Sequence, residues 1–168
     1  MNNITQILSE EHQYILKVIS AALNECEKVE NGKEPDVEFF QKTIDFIKNY
    51  ADNFHHAKEE DILFKAMASV DGMHCNPIPV MLHEHQESRN YLQGMEQGLV
   101  EKNVTKLIEN TKAYGFLLQQ HIFKEDNILY PMAEEALNEQ QKLAVNKLYE
   151  KADKAFNNKR NVEDLKFV

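Results

Sequence analysis

Tryptophan is missing altogether, and glycine, proline and cysteine are scarce, at five, four and two in 168 residues. So little Gly and Pro leaves few of the tight turns that a many-stranded sheet needs, whereas Glu, Lys, Leu, Ala and Gln, the residues of long helices, are plentiful. Two cysteines, Cys26 and Cys75, cannot build a disulfide framework, and a reduced, cytoplasmic setting is the simplest expectation. Basic charge is short as well: 19 Lys and Arg against 28 Asp and Glu give a formal net charge of −9. That balance argues against nucleic acid and against an anionic membrane surface as partners. No apolar run approaches the length of a membrane span. The opening MNNITQILSEEHQY has no basic region followed by an apolar one, so no signal peptide is read there. The length suits one domain with a proper hydrophobic core.

What the chain does have is helical period and caps. Asn3 with Gln6 has the form of a capping box opening a first helix that runs to about Val29. ENGKEPD breaks the chain, and Asp36 caps a second helix that continues to about Val70. After VDGMHCNP, Asn76 and Pro77 provide an N-cap and a first-position proline for a third helix ending near Glu101. Asn103 caps a fourth, running to about Tyr130, where Pro131 predicts a kink or a stop. Asn138 and Gln141 have the form of a second capping box, opening a short fifth helix from about residue 138. The expected architecture is all-α, an antiparallel up-and-down four-helix bundle with a short additional C-terminal helix. It occupies residues 1–157, with 158–168 as a loosely attached polar tail.

The four long helices are duplicated in pairs. EHQ occurs at Glu11–Gln13 and again at Glu84–Gln86, while HHAKEEDILF from His55 matches HIFKEDNILY from His121. The alignment pairs Lys58 with Lys124, Glu59 with Glu125, Leu63 with Leu129 and Phe64 with Tyr130. Each half is then a helical hairpin supplying one His from its first helix and His-x-x-x-Glu from its second. His12 and His55 lie about equally far from the first hairpin turn, as do His85 and His121 from theirs. At a rise of about 1.5 Å per residue, antiparallel packing puts all four at one height.

Helical phase selects which histidines face inward. His55 shares its face with Ile44, Ile47, Ala51, Ile62 and Leu63, whereas the residues upstream of His56 on its face are Asp45, Lys48, Asn49, Asp52 and Asn53. His55 and Glu59 are therefore expected inside and His56 at the rim. By the same test His85 is preferred to His83, and His12 and His121 sit in stripes of Ile and Leu. Four imidazoles and two carboxylates turned into one apolar layer without a counter-ion would cost several kcal/mol per ion. A metal centre of His12, His55, Glu59, His85, His121 and Glu125 removes that cost. A metal-free helical interaction protein would require this convergence to be coincidence. Cys26 reads as a small buried hydrophobe, and the Glu and Lys runs as a solvated face.

Six such donors exceed what one tetrahedral zinc takes, and no thiolate cluster is present. Mixed nitrogen and oxygen ligation around two divalent ions fits iron best and manganese second, with Glu59 and Glu125 as bridges. Here SEEH, HHAKEEDILF, PIPVMLHEHQESR and HIFKEDNILYPMAEEAL, in this order and spacing, closely resemble the hemerythrin-like HHE cation-binding domains of bacteria. The resemblance covers almost the whole chain and implies a non-haem, oxo-bridged di-iron centre (Fe–O–Fe) in the bundle. It also marks a departure. Oxygen-carrying hemerythrins have five His, two of them one turn apart on the third helix, whereas the positions one turn from His85 are Met81 and Arg89. The fifth His is thus expected to be missing, unless His74 or His83 swings in. Hemerythrins place an Asp five residues after the last His, where Asp126 stands, but the duplicated half favours Glu125.

The function this implies is binding of O2 or NO for sensing, storage or scavenging. The alternative is an enzyme-like turnover of NO or peroxide, or iron donation in iron–sulfur cluster repair. The expected partner is a small diatomic ligand or peroxide, with the chain a monomer or a homodimer.

Overall fold

The computed structural model describes residues 3–70, 76–159 and 167–168, and every regular element among them is helical. His74, Cys75 and residues 160–166 of the tail lie outside the described residues. Helix α1 spans Gln6–Glu30. Helix α2 covers residues 37–68 and changes its winding along the way: α-helical over Val37–Phe46, π-helical over Ile47–His56 and Glu59–Leu63, and α-helical again over Phe64–Ala68. Helix α3 is Ile78–Val100. Helix α4 covers residues 104–136, with Glu125–Leu129 wound as a π turn between Val104–Lys124 and Tyr130–Ala136. Helix α5 is Glu139–Asn157.

The helix starts are set by local chemistry. Asp36 accepts from the Phe39 amide at 3.0 Å and Asn103 from the Lys106 amide at 3.0 Å. Asn138 and Gln141 form both arms of a capping box. At the first helix only one arm forms: Asn3 accepts from the Gln6 amide at 2.9 Å, while the Gln6 side chain turns forward to Glu10. Pro131 neither stops nor ends α4. The wider π turn falls just before it, where a proline ring presses on the carbonyls of the preceding turn, and the helix passes through to Ala136.

The core is two apolar clusters with a polar layer between them. One gathers Ile15, Val18, Phe46, Ala51, Leu92, Met95 and Leu118; the other gathers Leu8, Leu63, Phe64, Met81, Leu129 and Tyr130. In each long helix the histidine sits at the junction: His12 between Leu8 and Ile15, His85 between Met81 and Leu92, His121 between Leu118 and Leu129. Helices α3 and α4 pack closely at Gly98, where an added Cβ would stand 2.7 Å from the Leu107 amide nitrogen. Helix α5 packs along α2: Val145 and Tyr149, with Leu137 just ahead of the helix, extend the second cluster, and the Phe156 ring meets Phe54 at 4.6 Å between centroids. The end of the tail is docked. Phe167 packs edge-on against Phe39 and Phe46, and the Val168 carbonyl accepts from Tyr14 and Lys17.

Candidate metal centre

All six residues singled out by pattern are buried, and the fold brings them to one layer. Together with His56, their donor atoms fall into two groups that share Glu59, one of His12, His55, Glu59 and Glu125, the other of His56, Glu59, His85 and His121. Within each group the candidate ligand atoms all lie within 4.8 Å of one another. The Nε2 atoms of His12 and His55 are 2.9 Å apart, and those of His85 and His121 are 3.0 Å apart. Glu125 reaches across, with one oxygen 3.2 Å from His12 Nε2 and the other 3.0 Å from His121 Nε2. Glu59 Oε2 lies 3.7 Å from His55 Nε2 and 3.4 Å from His85 Nε2. Donors held about 2.0–2.2 Å from a common ion stand roughly 3 Å apart along the edges of its coordination sphere. The observed separations are of that size.

The far side of each ring shows why these imidazoles point this way. Every Nδ1 meets a carboxylate: His12 with Asp126 at 3.0 Å, His55 with Glu11 at 2.8 Å, His85 with Glu60 at 2.7 Å, His121 with Glu84 at 2.8 Å and His56 with Asp52 at 3.3 Å. The carboxylates are themselves held. Lys58 bonds Glu11, Lys124 bonds Glu84, Arg89 bonds both Asp52 and Glu60, and Ser9 bonds Asp126. The duplicated sequence is thereby explained beyond its histidines. In each half the Glu before the lone His anchors the His of that half's His-x-x-x-Glu and is gripped by its Lys, whereas the acid after the bridging Glu anchors the lone His of the other half, Glu60 holding His85 and Asp126 holding His12. The Lys and Glu runs are therefore not simply a solvated face. Lys58 is 1% exposed.

The acids are ionised acceptors. The hydrogen bond from His85, with Arg89, holds the Glu60 carboxyl down to about 2. Burial opposes ionisation at Glu11, Asp52, Glu84 and Asp126, yet bonded His, Lys, Arg or Ser partners hold all four below their ordinary values. An acceptor-only partner requires Nδ1 to carry the proton, so a neutral ring turns an unprotonated Nε2 toward the layer. Two such lone pairs at 2.9 Å, and two more at 3.0 Å, repel unless cations lie among them. The carboxylates tell the same story, because Glu59 Oε2 and both oxygens of Glu125 are buried without a hydrogen-bond partner. In the metal-free chain protons answer part of this need. Although burial opposes protonation, carboxylate hydrogen bonds and charges push His12 up to about 10 and His85 up to about 11. This donor set fits a pair of cations.

The structure corrects one expectation. His56 is not at the rim: it is 1% exposed, its ring stacked on His85 with centroids 3.8 Å apart, and it belongs to the second donor group. Phase counted at 3.6 residues per turn fails here because Ile47–His56 is π-wound, and the wider turn carries the inward stripe from position 55 on to 56. The acid that drew His56 toward water, Asp52, is part of its inward network, closed over by Arg89 from α3. Burial and the charge of the neighbouring His85 push His56 well below its ordinary value, which keeps its lone pair free. A fifth imidazole is thus present, supplied by α2 instead of α3. His83 points to solvent, 72% exposed beside Glu87. The signal in the sequence was the adjacent pair His55-His56, which the other half lacks.

A family model described as Hemerythrin HHE cation binding domain matches residues 3–133, which take in every donor named above. A search of curated proteins returned no match. Among the described residues no helix is long and apolar enough to cross a membrane.

Proposed function

We propose, on the premise that this chain belongs to the hemerythrin HHE cation-binding family, that its buried layer holds two non-haem iron ions and binds a diatomic ligand, O2 or NO. The observation that carries the reading is the pair of facing Nε2 couples beside the unpartnered oxygens of Glu59 and Glu125. His56, His85 and His121 would hold one ion, His12 and His55 the other, with Glu59 and Glu125 shared between them. Mixed imidazole and carboxylate donors suit iron, with manganese second. Bound as a pair, such ions supply electrons and exchangeable coordination to a small oxidising ligand.

With five imidazoles the two ions differ, three nitrogen donors against two. The side of His12 and His55, with one imidazole fewer, would leave its ion open to a further donor atom. The protein's own contribution is orientation and dryness. The five carboxylate anchors fix ring direction and tautomer, while Leu8, Ile15, Leu63, Leu118 and Leu129, all at 1% exposure or less, wall the layer. So closed a wall suits a small ligand better than a bulky one. Stopped-flow mixing of the reduced, iron-loaded protein with O2 or NO tests the proposal. A stoichiometric, stable spectral change is the expected result. Sustained consumption of many equivalents would replace binding with turnover, and no change with either gas would overturn the reading.

A further inference from the structure

The two halves of the donor layer are nearly equivalent, so the places where they differ are informative. Two aligned positions reach the donor atoms with a polar group in one half only. His56 aligns with Ile122, and Tyr130 aligns with Phe64. The first difference gives one group its third imidazole. The second lies on the opposite side. The Tyr130 ring stacks on His12, centroids 5.4 Å apart and planes within 8°, while Phe64 occupies the matching place over His85 at 5.9 Å and 18°. Phe64 shows that ring packing alone does not call for a hydroxyl there. The Tyr130 hydroxyl is buried, 2.6 Å from Glu59 Oε1 and 3.2 Å from His12 Nε2. These are edge lengths of the same order as those between the other donors of that group.

We propose that the Tyr130 oxygen is a further metal ligand, to the ion held by His12 and His55. This rests on the di-metal reading above. It gives each ion three donors of its own besides the shared carboxylates: three imidazoles on one side, two imidazoles and a phenol oxygen on the other. In the metal-free chain the phenol donates its hydrogen to Glu59. On coordination that proton leaves to solvent and a metal–oxygen bond replaces the O–H bond, with no change of oxidation state. The role is confined to one side because Phe64 has no oxygen to offer the other ion.

The test compares wild-type protein with Tyr130→Phe, each loaded anaerobically with ferrous iron, oxidised in air, and examined for iron content and by visible and resonance Raman spectroscopy. A phenolate bound to ferric iron gives a visible charge-transfer band whose excitation enhances tyrosinate ring vibrations. The expected result is that wild type shows the band and the ring modes, and that Tyr130→Phe loses both while keeping the wild-type iron content. Wild type with full iron and no tyrosinate modes would overturn the Tyr130 assignment and leave the di-iron reading standing. Absence of iron from both proteins would overturn that reading and this one with it. Should Tyr130→Phe fail to fold, the wild-type Raman spectrum decides, with Tyr114→Phe and Tyr149→Phe as controls that retain the modes.

Discussion

The symmetry of the anchoring network permits a prediction in which two chemically equivalent substitutions have unequal consequences. Glu11 anchors His55 and binds Lys58; Glu84 anchors His121 and binds Lys124. Glu11→Gln and Glu84→Gln each remove one carboxylate charge, one charged anchor for an imidazole and one lysine's counter-ion. The loss at the imidazole is common to both and cancels in the comparison. The lysines differ. Lys58 is 1% exposed and covered by Tyr149 and Phe54, whereas Lys124 is 33% exposed and can rehydrate. Leaving a buried charge without its partner costs roughly 3–5 kcal/mol, and breaking an exposed pair roughly 0–1. Asp153, 3.1 Å from Lys58 Nζ, remains as a partial partner, which puts Glu11→Gln at the lower end, about 3 kcal/mol. For a domain of this size each kcal/mol moves the melting temperature by about 2–4 °C, so a difference of about 2–3 kcal/mol should separate the metal-free variants by about 4–12 °C. Thermal unfolding followed by circular dichroism measures this. Metal competition titrations should show both variants weakened similarly, by roughly 10–100-fold, as expected for loss of an outer-shell anchor. Equal melting temperatures would refute the argument that Lys58 is a buried cation dependent on Glu11.

Three further outcomes follow from the same geometry. His56→Ala should lose iron relative to wild type while His83→Ala keeps all of it, as read by metal analysis after reconstitution; equal contents would return His56 to the rim. Loading ferrous iron at pH 8 should release protons, seen with a pH indicator, because His12 and His85 of the metal-free chain stay protonated up to about 10 and 11 and must give up those protons to bind metal. Finally, Gly98→Ala should destabilise the bundle by about 1–3 kcal/mol in denaturant unfolding, since the new methyl group meets the Leu107 backbone rather than a movable side chain.

The fold was largely legible because its signals are local. Asp36, Asn103 and Asn138 announce helix starts within three residues of themselves, and the Ile and Leu stripes around His12 and His121 follow the ordinary helical period. The duplication then related helices far apart in the chain. What could not be read was a change of period. Nothing in IKNYADNFHH states that ten residues will wind as a π helix, so the inward face was extrapolated past the point where it turns, and His56 was misplaced. Of the two outcomes that Pro131 allows, the stop does not occur, because the π turn ahead of it lets the helix run on to Ala136. Glu11, Glu84, Lys58 and Lys124 were visible in the repeat, but single charged residues in a Glu- and Lys-rich chain look like surface. Only the three-dimensional partners distinguish an anchor from a solvated side chain.

Counting metal most directly tests the account. Purified protein, stripped and reconstituted anaerobically with ferrous iron, should retain two irons per chain after desalting and become coloured on exposure to air. Conversion of His55 and His121 together to Ala should abolish the retention while leaving helical content unchanged. A folded, colourless wild-type chain that lets all the iron pass through the column would contradict the central claim that this buried layer is built around a pair of cations.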